Sequence, residues 1–94
     1  PVFALLNDIP GKEKTLGNVQ ECRARRAPVV GFVTDDDSEA AHAVTDAIRL
    51  PRTSAYTAPI VTAVALQLFA YHAARLRGCE IDQPRNLAKS VTVE

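Results

Sequence analysis

At 94 residues the chain is the size of one small domain, which buries only about 60–65% of its unfolded surface and so has a thin stability margin. Its 47% hydrophobic content is too high for a disordered segment. Lysine plus arginine equals aspartate plus glutamate, 11 against 11, which removes the electrostatic basis for nucleic acid or an anionic membrane as the main partner.

Val2–Leu6 is a short continuous apolar run closed by the turn signal Asn7-Asp8-Ile9-Pro10-Gly11. Continuous rather than alternating apolarity predicts a strand buried on both faces, as in a parallel sheet. A polar, helix-favouring stretch follows from about Glu13 to Ala27, with Leu16, Val19 and Cys22 as a narrow apolar stripe beside Arg23 and Arg26. Gly17 weakens that helix without forbidding it. Pro28–Thr34 reads as a second buried strand, after which Asp35-Asp36-Asp37-Ser38 supply N-cap candidates for a helix through about Asp46. Ala47–Leu50 is a third, shorter strand, stopped by Pro51. The longest helix runs from about Ala55 or Pro59 to Arg77, and Gly78 is placed to close it.

Strand and helix therefore alternate three times, the pattern of right-handed crossovers and a parallel sheet with helices on both faces. Three strands fall short of the five of a flavodoxin-like sheet and leave open edges, so the chain reads as the second half of such a domain. Alone, it is expected to dimerise, aggregate or expose apolar surface. The last helix is apolar round nearly its whole circumference, through Ile60, Val61, Val64, Leu66, Leu68, Phe69, Tyr71 and Leu76. Thr62, Gln67 and His72 interrupt it, and its apolar part is shorter than the roughly 20 residues a membrane span needs. Burial against another domain or subunit is the expectation. The start, Pro1-Val2-Phe3, carries neither a methionine nor a basic leader, so the expectation is that there is no signal peptide and that an upstream segment has been cut away. Cys22 and Cys79 fit no metal-ligand spacing and are too few for a disulfide scaffold, which makes a reduced cytoplasmic setting the default.

Three groups could carry chemistry. Asp35-Asp36-Asp37 sits where a strand meets a helix, the place where open parallel sheets bind ligands, and clustered carboxylates can hold Mg²⁺. Helix capping explains the same triplet more simply, and no lysine or threonine pattern completes a phosphoacceptor site. His42 and His72 lack a second ligand at helical spacing, and the two thiols lack a neighbouring base, so neither pair points to a metal or a nucleophile. Lys89 is the third candidate. Pro84 holds Gln83 extended, and Leu87, Ala88, Val91 and Val93 make the surrounding tail apolar, which suits a tail packed down rather than solvated. A lysine amine has an unperturbed pKa of about 10.4, and burial lowers it toward the neutral form that attacks a ketose carbonyl to give a Schiff base.

The tail Asp82-Gln83-Pro84-Arg85-Asn86-Leu87-Ala88-Lys89-Ser90-Val91-Thr92-Val93-Glu94 resembles the end of the glutamine–fructose-6-phosphate aminotransferase family at every position. Leu66-Gln67-Leu68-Phe69-Ala70-Tyr71-His72 and Leu76-Arg77-Gly78 resemble the last helix of its isomerase part, while the front half agrees more loosely. The resemblance implies a sugar-isomerase (SIS) domain, with 1–81 as the C-terminal half of the second such domain and 82–94 as a tail reaching the active site. It implies an enzyme converting fructose 6-phosphate and glutamine into glucosamine 6-phosphate and glutamate, the entry to UDP-N-acetylglucosamine, with no cofactor and no metal. By the same resemblance Lys89 forms the Schiff base with the open-chain ketose, and the Ala88 backbone approaches the sugar.

Partners implied are the phosphosugar, the remaining SIS and glutaminase domains, and a second subunit in a homo-oligomer. The family's phosphate-binding loop, glutamate base, ring-opening histidine and glutaminase cysteine correspond to nothing between Pro1 and Glu94, so neither His42 nor His72 inherits a role. The chain by itself is expected to be inactive. Another SIS phosphosugar isomerase or sugar-phosphate regulator is the alternative, and a flavodoxin-like signalling domain using Asp35–Asp37 a more distant one.

Overall fold

The three runs expected as strands become strands and the three stretches expected as helices become helices, in a computed structural model that describes residues 1–83. The elements are β1 (Val2–Leu6), α1 (Lys12–Ala24), β2 (Val29–Thr34), α2 (Ser38–Ala43), β3 (Asp46–Leu50) and α3 (Ala58–Leu76). The strands form one parallel sheet in the order β1-β2-β3. Val2 lies beside Val29 and Leu6 beside Val33, while Val30 pairs with Asp46 and Thr34 with Leu50. This is the α/β, partial parallel sheet that the alternation of elements predicts. The chain divides into one compact unit, Pro1–Ala63, and a second that begins at Val64.

Period-two alternation decides which side chains reach the main core. Ala4 and Leu6 on β1, with Val29 and Val33 on β2, meet Val19 of α1 and Ala40 and Val44 around α2. Leu16 and Cys22 pack against this cluster half-buried, so the stripe expected on the first helix is the face it buries. Gly31 shares that sheet face, and a Cβ there would stand 2.6 Å from Val44 Cγ1. A β-branched valine has one strongly preferred rotamer and little room to yield, so a glycine is what lets the α2–β3 connection pass this close to the sheet.

The opposite face is covered differently. Phe32 on the central strand is fully buried there, but Phe3 and Leu5 on β1 remain exposed. Asn7 continues the alternation of β1 onto this face, where its Nδ2 donates to Thr62 Oγ1 of α3 at 2.7 Å. Thr62 in turn donates to the Ala58 carbonyl at 2.8 Å. Burial of β1 on both faces, expected from its continuous apolarity, is therefore only half met among the described residues. Its outer edge shows the same thing: Val2, Phe3, Leu5, Ile9, Val19 and Cys22 are among the residues lining an open groove of about 360 Å³.

Three element ends differ from the sequence reading, each for a local reason. Helix α1 stops at Ala24 because Arg26 turns left-handed (φ 63°). Its N–H then bonds the Arg23 carbonyl at 2.8 Å while Ala27 N–H bonds that of Cys22 at 3.1 Å. This is a Schellman ending on a residue other than glycine. Helix α2 is only six residues, ending at Ala43, because Val44 is extended and points into the core. Strand β3 consequently starts at Asp46, after Thr45 N–H has already bonded the Val29 carbonyl at 2.9 Å. At the far end the expected stop is present. Gly78 has φ 70°, its N–H bonds Arg75 O at 3.1 Å, and Cys79 N–H bonds Ala74 O at 2.9 Å.

Candidate functional site

The C-terminal ends of parallel strands are where open α/β sheets present their loops to ligands. Here the loop after β1 brings Asp8, the loop after β2 brings Asp35–Asp37, and the loop after β3 brings Arg52, with Lys12 at the start of α1. Thr34, the last residue of β2, accepts a hydrogen bond on Oγ1 from Asp8 N–H at 3.0 Å and so holds the first loop to the second.

Five charged side chains then close on one another. Arg52 forks onto Asp36, with Nη2–Oδ1 at 2.7 Å and Nε–Oδ2 at 3.1 Å, and its Nη1 pairs with Asp8. Lys12 Nζ lies 2.8 Å from Asp37 Oδ2 and 3.6 Å from Asp8 Oδ1. Asp37 also caps α2, its Oδ1 accepting from Ala40 N–H at 3.0 Å. Asp35 is held through its backbone: its N–H bonds Leu50 O at 2.7 Å and its carbonyl accepts from Arg49 Nη1 at 2.8 Å.

These contacts fix the protonation states. The hydrogen bond from Arg52 lowers the Asp36 carboxyl below the usual aspartate value, and that from Lys12, with the Ala40 N–H, lowers Asp37. Asp37 correspondingly raises Lys12, and Asp36 with Asp8 raises Arg52. A general acid or base works best with a pKa near the operating pH, and these four groups are driven away from neutrality. The cluster suits a clasp that ties three loops together, not a proton relay.

Asp37 has a folded pKa below its unfolded value of about 3.9, so its contribution is complete above that value and is lost as the pH falls through the folded pKa. Lys12 has a raised pKa, so its share persists up to about pH 10 and fades only above it. Asp37→Ala, which removes the cap and the Lys12 partner together, is expected to cost about 1–2 kcal/mol at pH 7. The difference from wild type should shrink between pH 4 and pH 2, read by urea denaturation at each pH. A difference that stayed constant across that range would assign the cost to something other than the ionised carboxylate.

The remaining sequence candidates separate in the structure. Asp37 has the capping role and Asp36 an ion pair, and among the described residues no three His, Cys, Asp or Glu side chains converge on a metal-sized site. His42 Nδ1 lies 2.6 Å from the Ser38 carbonyl one turn earlier, a local bond within α2. His72 stands edge-on to the Tyr71 ring at 5.2 Å between centroids. Cys22 is half-buried, Cys79 is exposed, and both are free thiols. Lys89 and Ala88 lie outside the described residues.

Sequence reasoning passed over Asp8, Lys12 and Arg52. The available signal was positional: Asp8 and Arg52 stand just after the ends of strands and Lys12 opens the helix that follows β1, where the loops of a parallel sheet meet. Asn7, part of the turn signal after β1, is a further such residue. It is 4% exposed, and among the described residues its buried Oδ1 has no hydrogen-bond partner.

No protein-family model matches the chain. Curated proteins match it from end to end. It is 50% identical over 94 residues to the glutamine–fructose-6-phosphate aminotransferase (isomerizing) of Thermus thermophilus, covering all of this chain and 16% of that protein. The enzymes of the same name from Bacteroides thetaiotaomicron and Chlorobaculum tepidum are 50% and 47% identical over 94 residues, and the chain covers 15% of each. The chain thus spans about one-sixth of the length of the curated relatives it matches.

Proposed function

We propose, from the premise that the whole chain is homologous to about one-sixth of a glutamine–fructose-6-phosphate aminotransferase, that it is the closing part of such an enzyme's isomerase region. The observation that carries this reading is identity near 50% sustained over all 94 residues in relatives as distant as Thermus and Bacteroides. The full polypeptide would make glucosamine 6-phosphate and glutamate from fructose 6-phosphate and glutamine in the cytoplasm, acting as a homo-oligomer. Residues 1–81 would complete the second SIS domain and residues 82–94 would form the active-site tail.

Within this reading the chain supplies one reacting group. Lys89 would condense with the open-chain ketose, and the Ala88 backbone would lie against the sugar. The clasp residues Asp8, Lys12, Asp36, Asp37 and Arg52 are paired with one another, which fits a supporting role. The proton-transfer groups and the glutaminase nucleophile would come from elsewhere in the polypeptide, so the 94 residues alone would be inactive.

The test is an assay of the full-length protein with fructose 6-phosphate and glutamine, following glucosamine 6-phosphate by mass spectrometry. Amino-sugar formation that requires both substrates is the expected result. Aldose–ketose interconversion of a phosphosugar with no glutamine consumed would replace this reading with that of another SIS isomerase.

A further inference from the structure

Three loops meet at the C-terminal edge of the sheet, and they are not held alike. The loop after β1 is tied by its backbone, with Asp8 N–H on Thr34 Oγ1 at 3.0 Å and Lys12 N–H on Ile9 O at 3.3 Å. The loop after β2 is tied in the same way, by Asp35 N–H to Leu50 O at 2.7 Å and Asp37 N–H to Thr34 O at 2.9 Å. The loop after β3, residues 51–57, differs. Among the described residues, every hydrogen bond from it to another loop is made by the Arg52 side chain, to Asp36 and Asp8. Its other bonds are local, Ser54 O accepting from Thr57 and Ala58 N–H, and Thr57 O from Ile60 and Val61 N–H. Burial does not hold it either, since Thr53 is half-buried, its neighbours are exposed, and Tyr56 is 93% exposed. The two ends of this loop are fixed. Leu50 is buried and its carbonyl is taken by Asp35; Ala58 and Thr62 are buried on α3, where Asn7 Nδ2 holds Thr62 at 2.7 Å.

We propose that residues 51–57 form a strap across the ligand-presenting edge of the sheet, latched by Arg52 and swinging open between two fixed ends when Arg52 lets go. The latch is made of side chains that water reaches, with Arg52 52% and Asp36 66% exposed. Ion pairs this exposed are weak and are screened by salt, because the Debye length falls from about 10 Å at 0.1 M to about 3 Å at 1 M. Lys12 and Asp37 are the contrast: their pair is partly withdrawn from solvent, and it joins two loops that the backbone already holds. Salt therefore loosens the third loop and spares the other two. A segment held only by weak, exposed contacts opens locally without the rest of the fold, and both of its states are populated. Such a segment gates whatever enters at the strand ends, where open parallel sheets take their ligands.

Chymotrypsin on the full-length protein tests the strap, since Tyr56 lies inside it and cleavage tracks the population of the open state when opening is fast. Cleavage after Tyr56, followed by mass spectrometry, should be at least about fivefold faster in Arg52→Gln than in the wild type. Raising NaCl from about 0.05 M to about 0.5 M should speed that cut in the wild type and leave the variant unchanged, with rates divided by those of an unstructured tyrosine peptide. Cleavage after Phe32, in the central strand, reports global opening and should not change. Equal acceleration at Phe32 and Tyr56 would show a general loss of stability and overturn the proposal, as would a Tyr56 rate that the substitution left unmoved. If Arg52→Gln does not fold, the salt series on the wild type decides alone, and a rate indifferent to salt overturns the latch. None of these readings uses enzymatic activity, so the strap stands or falls apart from the proposed reaction.

Discussion

Replacing Lys89 with alanine in the full-length protein is expected to lower glucosamine 6-phosphate formation by at least about 10³-fold in kcat/KM, while glutamine hydrolysis stays measurable. Under the function proposed above, the reason would be covalent, not electrostatic. An imine between the lysine amine and the ketose carbonyl opens a route that no neighbouring side chain can substitute, because a hydroxyl or carboxylate forms no imine. Lys89→Arg separates this from a charge effect, since arginine keeps the cation but stays protonated at any working pH. It should be as inactive as the alanine variant. Borohydride added with fructose 6-phosphate should reduce the imine to a stable amine and leave a phosphohexitol on the Lys89 peptide of the wild type only. An arginine variant that turned over at the wild-type rate would reduce Lys89 to a sugar-binding cation.

Phe32→Ala is expected to cost about 3–5 kcal/mol, the usual penalty for emptying a buried phenylalanine site. Phe32 is fully buried and sits on β2, the strand with a neighbour on each side, where its register partners are Leu5 and Ile48. Small domains hold about 5–15 kcal/mol in total, so this one change consumes a large share. Hydrogen exchange of the β2 amides in the full-length protein should accelerate by about two to four orders of magnitude, following the fall in the free energy of opening. Phe32→Leu keeps most of the volume and should cost less than about 1.5 kcal/mol. If both substitutions left β2 exchange unchanged, this region would open by a local route that does not expose Phe32.

The element order was legible because its signals are local. Val2–Leu6 and Val29–Thr34 are apolar runs between turn residues, and Gly78 can adopt the left-handed ending that most side chains resist. The helix ends that differed were those with no glycine where the backbone turns. Arg26 takes a left-handed conformation with nothing in its type to signal it, and Val44 leaves α2 because the core beside Gly31 accepts its side chain.

The candidate site was legible only in part. Asp37 could be identified as a cap because its partner, Ala40 N–H, is three residues away. Arg52 could not be assigned, since its partners Asp8 and Asp36 lie 44 and 16 positions back in the chain. Only the parallel crossovers bring the three loops to one edge.

By itself the sequence determined the α/β alternation, the neutral charge balance and the tail that ties the chain to its relatives, since each is written in residues close along the chain. Tertiary structure decided the rest. It paired Asp8, Asp36 and Asp37 with Lys12 and Arg52, joined Asn7 to Thr62 across 55 positions, and left Phe3, Leu5, Val64, Leu68 and Tyr71 open to solvent. Ion pairs and burial depend on which distant segments meet in space, and for this chain that is set by how its crossovers stack the three strands.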